Sequence, residues 1–248
     1  MDDKKYNLLY VLNRLVNDEN TDVNATLARY FITNFYKAKD FNIYDIAAEC
    51  DVSRSSIRRF AKELGYVNFW TLKKLMIEEE KQPTKISNDK YREDLTNNIN
   101  SIIGELNERM NTDQVAVICD WIRSAENFYI VCSGGTLSAI KDFQVNLASK
   151  GKLSQIIYNE ESIKYLSKNI GKKDKILVIS ISGVAANRFL DMFDNDIVPK
   201  MLITANRVTN FDNFQKVYYM SHLDHSKDPV FYRKYGLSYL LDILANCY

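Results

Sequence analysis

The chain changes its periodicity once, and that change divides it. Up to about Met76 the apolar residues recur at helical spacing: Leu8, Leu12, Leu15 and Val16, then Leu27, Tyr30, Phe31 and Phe35. No glycine precedes Gly65, and strand-like alternation is almost absent. Later in the chain, short β-rich runs alternate with helical patterns. The runs are Phe128 to Cys132, Ser154 to Tyr158, Ile176 to Ile181, Lys200 to Thr204 and Val217 to Met220. Near-continuous apolar strands separated by helices predict βαβ units and a parallel sheet covered on both faces.

Between the two patterns lies Glu78 to Tyr91, which is charged and polar and carries one proline and one aliphatic residue, Ile86. It reads as a linker. The expected organisation is an all-α unit over residues 1–77, a linker over 78–91 and an α/β unit over 92–248. Two helices should open the second unit. One carries Leu95, Ile99, Ile102, Ile103, Leu106 and Met110. The other carries Val115, Ile118, Cys119 and Ile122, with Thr112 or Asp113 as its cap. An apolar helix, Gly236 to Ala245, should close the chain.

Composition narrows the class further. The 248 residues are 46% hydrophobic and 12% aromatic, with 8 Gly and 3 Pro, which excludes collagen-like and disordered chains. The start, MDDKKYNLLY, is not a secretory signal. Apolar runs such as Ile176 to Ile179 fall far short of the ~20 residues that span a bilayer. The four cysteines, Cys50, Cys119, Cys132 and Cys247, are scattered without a CxxC pair, so a reduced, cytoplasmic protein is expected.

The sharpest local pattern runs from Asn42 to Gly65. Asn42 can cap a helix whose apolar side is Ile43, Ile46 and Ala47. After a short break at Asp51-Val52, Ser53 can cap a second helix burying Ile57, Phe60, Ala61 and Leu64. Gly65 can end it with positive φ. Two short helices around a tight break match a helix-turn-helix. This geometry leaves Arg54, Ser55, Arg58, Arg59 and Lys62 facing outward. From Ser53 to Leu75, six bases (with Lys73 and Lys74) face the single acid Glu63, a net +5 in a chain of net +1. Charge concentrated in this way suits phosphate neutralisation. In such motifs the start of the second helix reads base edges in the major groove. The expected DNA-binding residues are Ser53, Arg54, Ser55, Ser56, Arg58, Arg59, Lys62 and Lys73.

Two strands run into Ser/Gly turns. Phe128 to Cys132 leads to Ser133-Gly134-Gly135-Thr136, and Ile176 to Ile179 leads to Ser180-Ile181-Ser182-Gly183. Small residues at a strand-to-helix turn present backbone amides and hydroxyls, which suits a phosphate monoester. Such loops lie at the C-terminal edge of an open parallel sheet, where ligands bind. There is no G-x-G-x-x-G, and no Gly-Lys is followed by Ser or Thr, so dinucleotide and P-loop readings lack support.

The N-terminal segment resembles the helix-turn-helix domain of the RpiR family of bacterial transcription regulators. The match rests on Ala48, Val52, Ser53, Ser56, Ile57, Arg59, Phe60, Lys62, Leu64, Gly65 and Tyr66, followed by Phe69, Leu72 and Lys73. The resemblance makes Arg59 the family's recurrent arginine and Ser53 to Lys62 its recognition helix. The paired turns look like those of the sugar isomerase (SIS) domain, the partner domain in that family. There they hold a phosphosugar. Gly134, Ser180, Ser182 and Gly183 match and Thr136 is conservative. Cys132 stands for a glycine and Ala185 for a threonine. The missing Ala185 hydroxyl removes one hydrogen bond, about 1.5–3 kcal/mol if charge-assisted. The implied ligand residues are Ser133, Gly134, Gly135, Thr136, Ser180, Ser182 and Gly183.

Catalytic candidates are weak. An isomerase needs a base near the sugar C1–C2 bond. Glu160 and Glu161 follow the second strand, but carboxylates at a helix start are ordinary surface groups. His222, Asp224 and His225 lack a third firm metal ligand. No catalytic residue, metal or cofactor is expected. The expected architecture is an all-α helix-turn-helix domain plus a doubly wound, SIS-like α/β domain with a parallel sheet flanked by helices. The expected partners are double-stranded operator DNA, a phosphosugar effector and a second copy of the chain, as a homodimer or dimer of dimers, with no membrane. Two rival readings are a phosphosugar isomerase with an accessory helical domain, and a DNA-binding dimer whose SIS-like domain no longer binds ligand.

Overall fold

The structure, a computed structural model, describes residues 3–17, 22–78, 88–110, 113–193 and 198–248. Contacts divide the chain between residues 85 and 86. The expected linker falls largely on 79–87, outside the described residues. Its last four positions, 88–91, are helical instead.

The first unit contains α1 (Asp3–Asn17), α2 (Val23–Thr33), a 3-10 turn (Phe35–Asp40), α3 (Ile43–Glu49), α4 (Arg54–Glu63) and α5 (Phe69–Glu78). Its core gathers Leu8, Leu12, Leu27, Phe31, Ile46, Ile57, Phe60, Leu72 and Met76. Phe31 is the hub. Its ring stacks on Phe60 at 5.7 Å and meets Phe41 edge-on at 5.4 Å. Such pairs add about 0.5–1.5 kcal/mol beyond the buried area.

Caps fix the helix borders. Asn42 Oδ1 accepts from Tyr44 N, Ser53 Oγ from Ser56 N, and Asn68 Oδ1 from Thr71 N. Both helices of the α3–α4 pair end in the same way. Val52 N donates to Ala47 O, and Tyr66 N to Ala61 O, around Asp51 (φ 52°) and Gly65 (φ 87°). These are Schellman endings, with the left-handed position just past each helix. The α3 ending places an aspartate where glycine is the usual choice. Ser53→Ala is expected to lower the stability of this unit by about 1 kcal/mol by removing the side-chain acceptor of the Ser56 amide. Thermal melts of the two proteins check it.

The second unit opens with α6 (Asn88–Met110) and α7 (Asp113–Arg123). Asp113 lies inside α7, and the other expected cap, Thr112, falls outside the described residues. Then come β1 (Phe128–Cys132), a 3-10 turn (Gly134–Thr136), α8 (Leu137–Ser149), β2 (Ser154–Ile157), α9 (Glu160–Asn169) and β3 (Lys175–Ile179). The chain continues through α10 (Val184–Met192), β4 (Lys200–Thr204), β5 (Lys216–Tyr219), a π-turn (Tyr232–Gly236) and α11 (Leu237–Cys247). All five expected strands form within two residues of their expected borders.

The strands are parallel throughout, in the order β2-β1-β3-β4-β5. Alternate side chains serve opposite faces. Val131, Ile176, Val178 and Leu202 pack with Ile163, Leu166, Phe189 and Phe193 of the α9–α10 layer. The intervening Ile130, Leu177 and Ile203 are fully buried on the other face. There α8, α11 and α7 pack on one another. Burial on both faces explains why the strands read as continuous apolar runs.

The strand order has a direct consequence. From β1 the chain passes outward to β2, then returns to pair β3 on the other side of β1. Doubly wound sheets open a crevice at this switch point, beyond the carboxyl ends of the strands. Cys132 pairs with Ile179, so β1 and β3 end level. Their two Ser/Gly turns therefore stand side by side at that crevice.

Candidate functional site

The exposed face of α4 carries the expected bases. Arg54, Arg58, Arg59 and Lys62 are exposed, while Ile57, Phe60 and Ala61 are buried. The three serines at its start form one hydroxyl cluster: Ser53 Oγ lies 2.7 Å from Ser55 Oγ and 2.9 Å from Ser56 Oγ. Ser53 and Ser55 are exposed, and Ser56 is half-buried. Short side chains here let a ligand approach the helix amides. Two bases are held in position. The Arg54 guanidinium sits 4.7 Å from the Tyr44 ring centre, a cation–π contact from α3 to α4. Arg59 Nε lies 3.6 Å from Glu63 Oε1. Glu63 also accepts from Asn24 Nδ2 of α2 at 2.9 Å. The single acid of the basic segment thus aligns Arg59 along the helix.

Lys73 stands apart from this face. It is half-buried, and its Nζ donates to Phe41 O at 2.8 Å. An ammonium held by a carbonyl of its own unit ties α5 to the segment before α3. Sequence spacing could not show this, because the acceptor is a backbone atom 32 residues away.

At the sheet edge the second turn is tightly built. Ser180 Oγ accepts from Ala186 N at 3.1 Å and so caps the third amide of α10. Gly183 has φ 88° and starts the helix. Three residues at the β4 end brace the turn. Thr204 Oγ1 and Ala205 N both donate to Ile181 O, and Asn206 Nδ2 donates to Ser182 O at 2.7 Å. These bonds engage carbonyl oxygens that would repel an anion. Asn206 Oδ1 accepts from Val208 N and Thr209 N, each at 2.9 Å. Ser180, Ser182, Thr204 and Asn206 are all buried.

The first turn is simpler. Ser133, Gly134 and Gly135 are half-buried, and Thr136 is buried, with its Oγ1 donating to Ser133 O at 3.1 Å. The turn is 3-10 before α8 begins at Leu137. Cys132 closes the strand beneath it. Burial pushes this thiol up to about 12, so it stays neutral and leaves the crevice without a thiolate.

Thr204 and Asn206 were not among the residues read from sequence. Their signal is the run Thr204-Ala205-Asn206 at a strand end, which repeats the small-polar character of the other two turns at the same edge. The carboxylates Glu160 and Glu161 begin α9, with Asn159 as cap. Glu160 is bonded to Arg188 of α10. The arginine lowers the carboxyl below its ordinary range. His222 is bonded to Arg109 of α6. Among the described residues, no group of three His, Cys, Asp or Glu is placed to hold a metal ion. Among the same residues, no helix is long and apolar enough to cross a membrane.

Residues 8–83 match the helix-turn-helix domain of the rpiR family. The chain is 22% identical to the HTH-type transcriptional regulator GlvR of Bacillus subtilis over 179 residues, covering 69% of this chain and 67% of GlvR. A candidate phosphosugar isomerase involved in capsule formation from Bacteroides fragilis aligns with a TM-score of 0.50 at 14% identity, over 63% of this chain and 87% of that one. That likeness is one of fold. The Vibrio vulnificus NanR protein, solved with ManNAc-6P, aligns over 97% of this chain and 90% of its own at 16% identity and a TM-score of 0.46. Residues 8–83 are thus a helix-turn-helix domain of the rpiR family, and the unit that follows has the fold of the phosphosugar isomerase.

Proposed function

We propose that this regulator reads operator DNA with the face of α4 that carries Ser53, Arg54, Ser55, Ser56, Arg58, Arg59 and Lys62. The observation that carries the reading is the segregation of that helix. Its apolar residues are buried and its four bases are exposed, in a chain of net charge +1. A single helix-turn-helix makes few contacts. Two copies on a palindrome combine theirs, so the working form is a homodimer, in the cytoplasm where the operator is.

The effector is a phosphorylated sugar bound between the turns 133–136 and 180–183. Their hydroxyls and amides, beside the start of α10, suit a phosphate group. The effector alters operator affinity by binding one arrangement of the dimer more tightly than another. The loss of a hydroxyl at Ala185 and the bulk of Cys132 favour one alternative, a sheet domain that no longer binds ligand.

Thermal melts with a panel of hexose and pentose phosphates, against the unphosphorylated sugars, separate the two. Ligand at about 100 times its Kd stabilises by about 2.7 kcal/mol, roughly 5–10 °C for a unit of this size. A shift confined to phosphorylated sugars is the expected result. No shift with any of them favours the ligand-free alternative. Turnover of a sugar phosphate would restore the isomerase reading.

A further inference from the structure

Helix α6 is the first element after the segment that joins the two units. Two of its side chains hold the loop that follows β5. Glu105 Oε1 accepts from Ser221 Oγ at 2.9 Å and from His222 N at 2.6 Å, and Glu105 Oε2 accepts from Tyr232 Oη. One turn later, Arg109 Nε donates to Tyr219 O at 2.8 Å. Ser221 and Tyr232 are buried, so two of the three groups bonded to Glu105 lie away from water. Burial pushes the Glu105 carboxyl up. The bonds from Tyr232, His222 and Ser221 outweigh it and hold the group below its ordinary value.

The same helix is seated against the π-turn Tyr232–Gly236 without spare room. A Cβ on Gly236 would come within 3.2 Å of both Ile102 Cγ2 and Leu106 Cδ1. The π-turn in turn packs against the Gly134–Thr136 turn at the crevice. One continuous path therefore runs from a crevice turn, through a π-turn, to α6. Single π-turns interrupt helices and recur at functional sites. Here the turn has a neighbour on each side that can set its geometry.

We propose that Glu105, through its bonds to Tyr232 and Ser221, couples the crevice to the reading head. Ligand closing on the Gly134–Thr136 turn shifts the π-turn, and the carboxylate carries that shift into α6, the helix that follows the DNA-binding unit in the chain. Glu105 is a positioning residue in this scheme and does not touch the ligand. The proposal rests on the effector reading above.

The test uses the full-length chain and a labelled operator fragment selected from the source genome, with and without each sugar phosphate of the panel at saturation. Wild type should show a change in operator affinity, of about 5–150-fold for ordinary allosteric couplings. In Tyr232→Phe and in the Tyr232→Phe/Ser221→Ala pair, that ratio should fall to within about twofold of one. Operator affinity without sugar phosphate, and the thermal shift given by the sugar phosphate, should stay as in wild type. Glu105→Gln, which keeps the acceptor Oε1, should lie between. A wild-type ratio retained in the double variant overturns the proposal. So does a loss of the thermal shift in that variant, which would make these residues part of the binding site. A wild type indifferent to every sugar phosphate overturns the effector reading itself, a distinct outcome.

Discussion

Gly183→Ala should lower the stability of the sheet unit by about 2–5 kcal/mol and abolish any sugar-phosphate thermal shift. Two costs combine. The residue sits at φ 88°, where an L side chain costs about 1–2 kcal/mol. A Cβ would also stand 2.6 Å from Asn206 Nδ2 and 3.0 Å from Phe211 Cζ. Asn206 cannot swing aside cheaply. Its Nδ2 donates to Ser182 O and Thr209 Oγ1, and its Oδ1 accepts from Val208 N and Thr209 N. Overpacking of this kind costs about 1–3 kcal/mol. Gly151 supplies the control, because its φ is 80° and a Cβ there meets nothing within 4 Å. Gly151→Ala should show the backbone cost alone. The difference in melting temperature between the two variants measures the clash, and equal losses would refute the close-packing account.

The contrast between these two glycines shows what a sequence can and cannot disclose. The Ser180–Gly183 turn was visible as a small-residue break after an apolar strand, because turn chemistry is local. What holds the turn is not local. Thr204 and Asn206 arrive from the next strand, more than twenty residues on, and only the parallel pairing of β3 with β4 brings them to Ile181 and Ser182. The same holds for Lys73. Its place in a charge run suggested phosphate, whereas the folded chain sets it against Phe41 O. By contrast, the buried side of α4 was legible except for Leu64, which ends the helix half-buried. Caps, helical period and the Gly65 ending all act within a few residues, and the structure puts Ile57, Phe60 and Ala61 inside as the spacing requires. The strands were legible for a related reason. Burial on both faces leaves a run of apolar residues that needs no partner to be recognised. Their order was not legible, and it is the order that creates the crevice.

Arg58→Ala and Arg59→Ala should each weaken operator binding by about 1–3 kcal/mol, roughly 5- to 150-fold, if each arginine contacts a base edge. Neither should destabilise the fold by more than about 0.5 kcal/mol, since both side chains are exposed. The Arg59–Glu63 pair does not alter that expectation. Its side chains are 66% and 47% exposed, and exposed pairs within a helix contribute about 0.3–0.5 kcal/mol. Lys73→Ala should do the reverse. It removes the bond to Phe41 O, costing about 1 kcal/mol of stability, while the slope of log affinity against log salt stays the same. A lysine that neutralises a phosphate would instead reduce that slope by about 0.9. Salt titrations of the three variants, with melts run in parallel, therefore sort the basic residues into readers and braces. Arginine variants that melt early yet bind operator as wild type does would move the reading face away from α4, because the charge segregation would then serve folding instead of recognition.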